Sequence, residues 1–235
     1  MTLLSLAVVR IRDVVDAGLL EPWTACLCDE EHRVRARGLD APTTARALVS
    51  RGLLRRALSR VAPLDPAAWR FEIGEHGRPW APRPAPSFNV AHSGDTVACV
   101  TGAPAELGLD VEETTRALDL DAVARVSFSE GELRGLGSRS GAARRARFFA
   151  LWTLKEAYLK ARGAGLVLPL DGFTMSDVDT ASPSITFAPG FGDVPEGWRF
   201  ARPELGPHLA AAVAARDAEA LRVQVEHVDV AGWLA

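Results

Sequence analysis

Phe148 to Gly165 reads F-F-A-L-W-T-L-K-E-A-Y-L-K-A-R-G-A-G. Ala, Leu, Lys, Glu and Arg favour a helix, and Gly163 supplies its stop. Leu151, Leu154, Tyr158 and Ala161 can pack inward. Trp152, Glu156 and Lys160 follow at intervals of four and share another face. The chain has 27 basic residues, and its only two lysines, Lys155 and Lys160, both fall in this helix. Lysine differs from arginine in being a compact point charge with a tunable pKa. Their placement marks the helix for chemistry as well as packing.

Upstream, Leu107 to Glu112 (L-G-L-D-V-E) alternates with period two, so Asp110 and Glu112 share one face of a strand and Leu109 and Val111 the other. A helix is expected over Leu120 to Val126. Ser129 with Glu132 three residues on forms a capping box that opens another helix. Gly135 to Arg147 then reads as an Arg-rich link into the Phe148 helix. Downstream, Leu166 to Phe173, Ser184 to Phe187, Trp198 to Arg202, Leu209 to Ala214 and Leu221 to Val228 are apolar runs broken by Pro, Gly and Asp, read as strands of one antiparallel sheet.

The first hundred residues follow a similar plan. Leu3 to Ile11 is apolar and β-branched, hence a strand. Asp29 to Arg37 is a charged helix with a basic second half. A longer helix spans about Thr43 to Ser59, with Leu48, Leu54 and Leu58 toward the core, Arg46, Ser50 and Arg55 near one face, and Arg51 beside them. Phe71 to Trp80 alternates and turns at Gly77, leaving Arg78 at a loop end. Pro79 to Pro86 is an extended connector. Phe88 to Asp95 is a strand entering a polar turn that holds His92 and Ser93, and Thr96 to Thr101 is the next strand. Each half thus has a long helix, a strand, a turn and a strand, and His92–Val100 echoes Gly206–Val213. The expected fold is α+β, with two related lobes divided near residue 105 and a cleft between them.

With 235 residues, 48% hydrophobic and 24% charged, the chain can bury a core as one large or two small domains. A net charge of −3 excludes a global attraction to nucleic acid, while local arginine clusters can still hold a small polyanion. Cys26, Cys28 and Cys99 lack zinc-ligand spacing and read as reduced thiols of a cytoplasmic protein. The apolar N-terminal run is too short to span a membrane.

Asp110 and Glu112 on a strand with Glu156 on a helix offer the carboxylate oxygens that a hard divalent cation takes, leaving positions for water and phosphate. Beside two lysines, such a centre suits a phosphate-bearing substrate whose charge must be neutralised during displacement. Further positive charge is available from Arg33, Arg35, Arg46, Arg51 and Arg78, and His92 can hydrogen-bond a phosphate.

The pieces G-L-D-V-E, F-S-x-x-E-L, L-W-T-L-K-E-A-Y-L-K, G-x-G-L and L-P-L-D, in that order, resemble the signature of the 4'-phosphopantetheinyl transferases of the larger, monomeric surfactin type. The upstream G-R-P-W-x-P and F-N-V-A-H-S-G extend the match from about Arg46 to Phe173. The resemblance implies a pseudo-two-fold pair of α+β lobes, each an antiparallel sheet with a long helix. Residues 1–104 would bind the nucleotide and 105–235 would carry the catalytic residues. Coenzyme A and Mg²⁺ would sit in the cleft. The phosphopantetheine arm would pass to a serine of an acyl or peptidyl carrier protein, releasing adenosine 3',5'-bisphosphate.

By motif, Asp110, Glu112 and Glu156 would hold the metal, and Glu156 would also assist deprotonation of the serine. Lys160 would stabilise the pyrophosphate, and Lys155, Arg46, Arg51, Arg78, His92 and Ser93 would bind the co-substrate. Glu132 stands on the F-S-x-x-E position. Ala91 stands where some relatives have serine, and Arg78 where some have lysine. A monomer is expected, acting on carrier proteins of polyketide, peptide or fatty-acid synthesis, with Arg144, Arg145 and Arg147 available to dock an acidic carrier helix. A Mg²⁺-dependent phosphohydrolase and a binding protein without turnover are the competing classes, and an apo carrier protein separates them.

Overall fold

The computed structural model describes residues 1–74, 78–82, 84–163, 168–216 and 218–234. Leucine and valine of β1 (Thr2–Arg10) start the chain in a strand, which gives way to the short helices α1 (Ile11–Val15), α2 (Leu20–Thr24) and α3 (Asp29–His32). Next comes the long helix α4 (Ala41–Val61), capped by Asp40, whose side chain accepts the Thr43 N–H at 2.7 Å. The small hairpin β2 (Glu72–Ile73) and β3 (Pro79–Trp80) precedes β4 (Ser87–Ser93) and β5 (Thr96–Gly102). The second half runs β6 (Leu107–Glu113), α5 (Leu120–Ser127), α6 (Glu130–Gly137), α7 (Gly141–Arg162), β7 (Phe173–Ser176), β8 (Ser184–Phe187), β9 (Trp198–Ala201), β10 (Leu209–Arg216) and β11 (Leu221–His227). No helix of the described residues is long and apolar enough to cross a membrane.

The chain divides into two compact units. The N-terminal unit comprises Leu4–Ala103 with Gln224–Ala235, and the C-terminal unit Pro104–Val223 with Met1–Leu3. A boundary near residue 105 assigns one run of chain to each lobe, whereas the structure exchanges the two ends. Val230 is buried in the N-terminal core beside Val9 and Leu53, so the last residues belong there.

In the N-terminal unit the sheet order is β11-β1-β5-β4. α4 places Val49, Leu53, Ala57 and Leu58 in a core shared with Ala7, Val9, Val97 and Cys99. His92 does not lie in a turn: it pairs with Val97 as the penultimate residue of β4, and the turn is Gly94-Asp95.

In the C-terminal unit β6 and β9 flank β10. Gly108, Asp110 and Glu112 alternate onto one face of β6, opposite Ala214, Ala212 and Ala210 of β10. This floor of small residues lets α7 come close: a Cβ on Gly108 would overlap the Ala157 carbonyl and the Ala161 amide. Above it, Phe148, Phe149, Leu151, Leu154 and Tyr158 are fully buried, each stabilising the unit by about 1.5–3 kcal/mol. Gly163 ends α7 in the left-handed region (φ 63°).

Several boundaries depart from those expected. The link into α7 shrinks to Ser138–Ser140, because α6 continues to Gly137 and α7 begins two turns early at Gly141. The apolar run expected to be a strand up to Phe173 is a 3₁₀ turn at Leu170–Gly172, and the strand begins at Phe173. The tail strands join three sheets: β10 pairs with β6 and β9 with β10, β7 pairs with β8, and β11 lies next to β1. Gly77 and residues 164–167, which include most of G-x-G-L, lie outside the described residues.

Candidate active site

α7 presents Trp152, Glu156 and Lys160 on successive turns toward the polar face of β6. Lys160 Nζ donates to Asp110 Oδ1 at 2.6 Å. Trp152 Nε1 donates to Glu112 Oε1 at 3.2 Å, and Arg116, in the turn after β6, reaches Glu112 Oε2 at 3.1 Å. The Glu156 side chain makes no hydrogen bond among the described residues, but lies within electrostatic reach of Glu112 and Lys160. Asp110, Glu112, Glu156 and Lys160 are therefore brought together.

The electrostatics follow from burial. Asp110 is pushed up to about 7, first by desolvation, with Lys160 opposing and Glu112 and Glu156 adding to the rise. Glu156 is also raised by burial, against the pull of Lys160. Asp110 Oδ2 is buried without a hydrogen-bond partner among the described residues. A carboxylate oxygen left dry and unpaired, with two further carboxylates in range, fits a hard divalent cation. The fit is to the donor set: among the described residues no three His, Cys, Asp or Glu side chains converge closely enough to hold a metal ion, with Lys160 and Arg116 standing against Asp110 and Glu112.

Lys155 does not join this group. Its side chain is fully buried, and its three N–H donors reach the carbonyls of Leu170 and Phe173 (both 2.7 Å) and Glu132 Oε2 (2.9 Å). It lies 4.2 Å from the Phe173 ring centroid. Burial lowers its pKa, with Glu132 opposing. A fully committed ammonium has no donor left for a phosphate, so its expected role in co-substrate binding is replaced by a structural one. Glu132 is its partner. One oxygen of Glu132 closes the α6 capping box on the Ser129 N–H (2.8 Å) and the other accepts the Met175 N–H (2.7 Å). The stripe Leu151, Leu154, Lys155, Tyr158 had the spacing to show this burial.

The remaining expected binding residues lie in the N-terminal unit. Arg46 and Arg51 are half-buried on α4, where Arg51 donates to the Ala47 carbonyl at 2.9 Å and Ser50 to the Arg46 carbonyl at 2.7 Å. Arg78 precedes β3 and donates to the Phe88 carbonyl at 3.3 Å. His92 is exposed and Ser93 buried at the end of β4. Arg55, on the same helix, is buried and structural.

The three arginines expected to meet a carrier protein are engaged elsewhere. Arg144 pairs with Asp121, Arg147 with Asp179 at 3.0 Å, and Arg145 donates to the carbonyls of Thr114 and Arg116. Sequence reasoning missed Arg116, which stands in the turn after β6, beyond the alternation that placed Glu112.

Residues 106–213 match the family model of the 4'-phosphopantetheinyl transferase superfamily. A 4'-phosphopantetheinyl transferase of Bacillus subtilis is 33% identical over 177 residues, which cover 75% of this chain and 78% of that protein. The transferase Sfp of Bacillus subtilis strain 168 is 35% identical over 55% of this chain and 57% of its own length. The transferase gsp of Aneurinibacillus migulanus is 27% identical over 70% and 68%.

Proposed function

The chain belongs to the 4'-phosphopantetheinyl transferase superfamily, and from that premise we propose that it transfers the 4'-phosphopantetheine of coenzyme A to a serine of an acyl or peptidyl carrier protein. The observation that carries this reading is the group of Asp110, Glu112 and Glu156 around Lys160, with one Asp110 oxygen buried and unpaired. Asp110, Glu112 and Glu156 would hold Mg²⁺, whose chemistry here is to draw charge from the pyrophosphate as the phosphoryl bond breaks. Glu156 takes the proton of the carrier serine, directly or through water. Burial raises its pKa toward neutrality, which makes it a better base than an exposed carboxylate. The serine oxygen forms its bond to the phosphorus bearing the pantetheine arm, and adenosine 3',5'-bisphosphate leaves with the bridging oxygen. Lys160 stands beside that developing charge.

Arg46, Arg51, Arg78, His92 and Ser93 would hold the nucleotide. Both residue sets lie in one chain, so a monomer suffices, working in the cytoplasm. The test is the intact mass of apo carrier proteins of several types after incubation with the protein, coenzyme A and Mg²⁺. We expect a gain of one phosphopantetheine, slowed about 10²–10⁴-fold by Glu156→Gln and absent in chelator. Bisphosphate release with unmodified carriers would instead assign a hydrolase.

A further inference from the structure

Two cations stand on the proposed metal ligands, and they are built differently. Lys160 belongs to α7 and its side chain is 32% exposed, while Arg116 sits on a turn and is 39% exposed. The backbone under Arg116 is pinned, because Arg145 of α7 donates to the carbonyls of both Thr114 and Arg116 and lies 5.1 Å over the Phe149 ring. Arg116 can therefore move only by swinging its side chain about a fixed pivot. Its Nε is buried without a hydrogen-bond partner among the described residues, so its place beside Glu112 leaves one donor unmet. Glu112 itself is steadied by Trp152, a neutral donor that has no charge reason to leave when a cation arrives.

Resting on the coenzyme A reading, we propose that Arg116 is a mobile counter-ion which neutralises Glu112 before the divalent cation binds and then turns to the phosphates of the incoming co-substrate. A divalent cation on Glu112 repels the guanidinium 3.1 Å from the same carboxylate. A polyphosphate offers the displaced fork two or more anionic oxygens in bidentate geometry. Cation and co-substrate then bind cooperatively, because each removes an obstacle to the other. Arg116 is in this sense a specificity-determining residue: it makes the cation bind well only in company with a polyanion.

The experiment is Mn²⁺ binding to the full chain, read from the free-ion signal in electron paramagnetic resonance, with and without coenzyme A and corrected for Mn²⁺ held by coenzyme A alone. In the wild type coenzyme A tightens Mn²⁺ by about tenfold or more. Arg116→Gln binds Mn²⁺ alone about fivefold more tightly and loses most of the tightening by coenzyme A, whereas Arg116→Lys keeps both in part. If Arg116→Gln leaves Mn²⁺ affinity or the tightening unchanged while the wild type still transfers phosphopantetheine, the counter-ion role is wrong and the proposed function stands. If coenzyme A fails to tighten Mn²⁺ in the wild type and no carrier is modified, both fall together.

Discussion

The two long helices carry the same device and use it to different ends. In α4, Arg55 is buried and donates through Nε and Nη2 to Glu31 Oε2 (3.0 and 2.7 Å) and through Nη1 to the carbonyls of Pro66 and Trp69 (2.8 and 3.0 Å). Its guanidinium lies 5.2 Å from the Phe71 ring centroid. In α7, Lys155 meets Glu132, the carbonyls of Leu170 and Phe173, and the Phe173 ring. Glu31 and Glu132 are each the third residue of a short helix closed by a capping box, on Cys28 and Ser129. Each unit thus ties a short helix, a long helix and the segment that follows to one buried cation. What differs is the next position. Arg56 is buried against the Trp23 and Pro22 carbonyls at 2.7 and 3.1 Å, whereas Glu156 is left for the site. The device fixes the helix, and that frees the residue beside it to serve packing in one unit and chemistry in the other.

The most damaging way to break this comparison is Glu132→Ala. It strands a buried ammonium, which costs about 3–5 kcal/mol, against the much smaller loss expected when both partners are replaced by apolar groups. Urea unfolding of Glu132→Ala and of Glu132→Leu/Lys155→Met measures both. The double variant should recover at least half of the loss. Equal loss in both would mean that packing around α6, and not the ion pair, dominates.

The α4 version should be weaker, because the Glu31 side chain is 16% exposed where that of Glu132 is 1%. Glu31→Gln is expected to cost about 1.5–3 kcal/mol. Its pH dependence has a definite sign. Burial alone would raise the Glu31 carboxyl, and hydrogen bonds from Arg55 and the Cys28 N–H more than offset it, so its pKa lies below the ordinary value of 4.5. The stabilisation is complete above that value and is lost as pH falls through the lower folded one. Thermal unfolding of wild type and Glu31→Gln between pH 3 and 7 should converge at the acid end. Parallel curves would remove the pair from the account.

Most of this frame was legible locally. The α7 stripe, its Gly163 stop, the Ser129 box and the alternation at Asp110 and Glu112 are short-range patterns, and each appears where its residues place it. Strand partners were not legible. β11 lies beside β1, about two hundred residues away, and β7 pairs with β8 alone among the described residues, because apolar runs of similar length do not name their neighbours. In the site, Glu156, Lys160 and the two strand carboxylates followed from spacing of four and two. Lys155 was misread because lysine is almost never fully buried, although its position in the stripe argued otherwise. Arg116 was hidden by a turn, where period-two reasoning ends.

The smallest effect sharpens the comparison at its far end. Five residues beyond each buried cation stand Arg60 and Lys160. Arg60 pairs with Glu226 at 3.4 Å and lies 4.9 Å over the Trp233 ring, with its side chain 54% exposed. An exposed pair with one stacked ring contributes about 1 kcal/mol or less, and added salt screens its ionic part. Arg60→Ala should therefore lower stability only slightly, with the difference shrinking in 1 M salt, and leave carrier modification intact. Lys160→Ala should instead leave the fold standing and slow transfer, because its partner Asp110 belongs to the proposed site. A loss at Arg60 as large as that at Glu31 would show that α4 needs its last turn to hold the device, and that the two helices are anchored over different lengths.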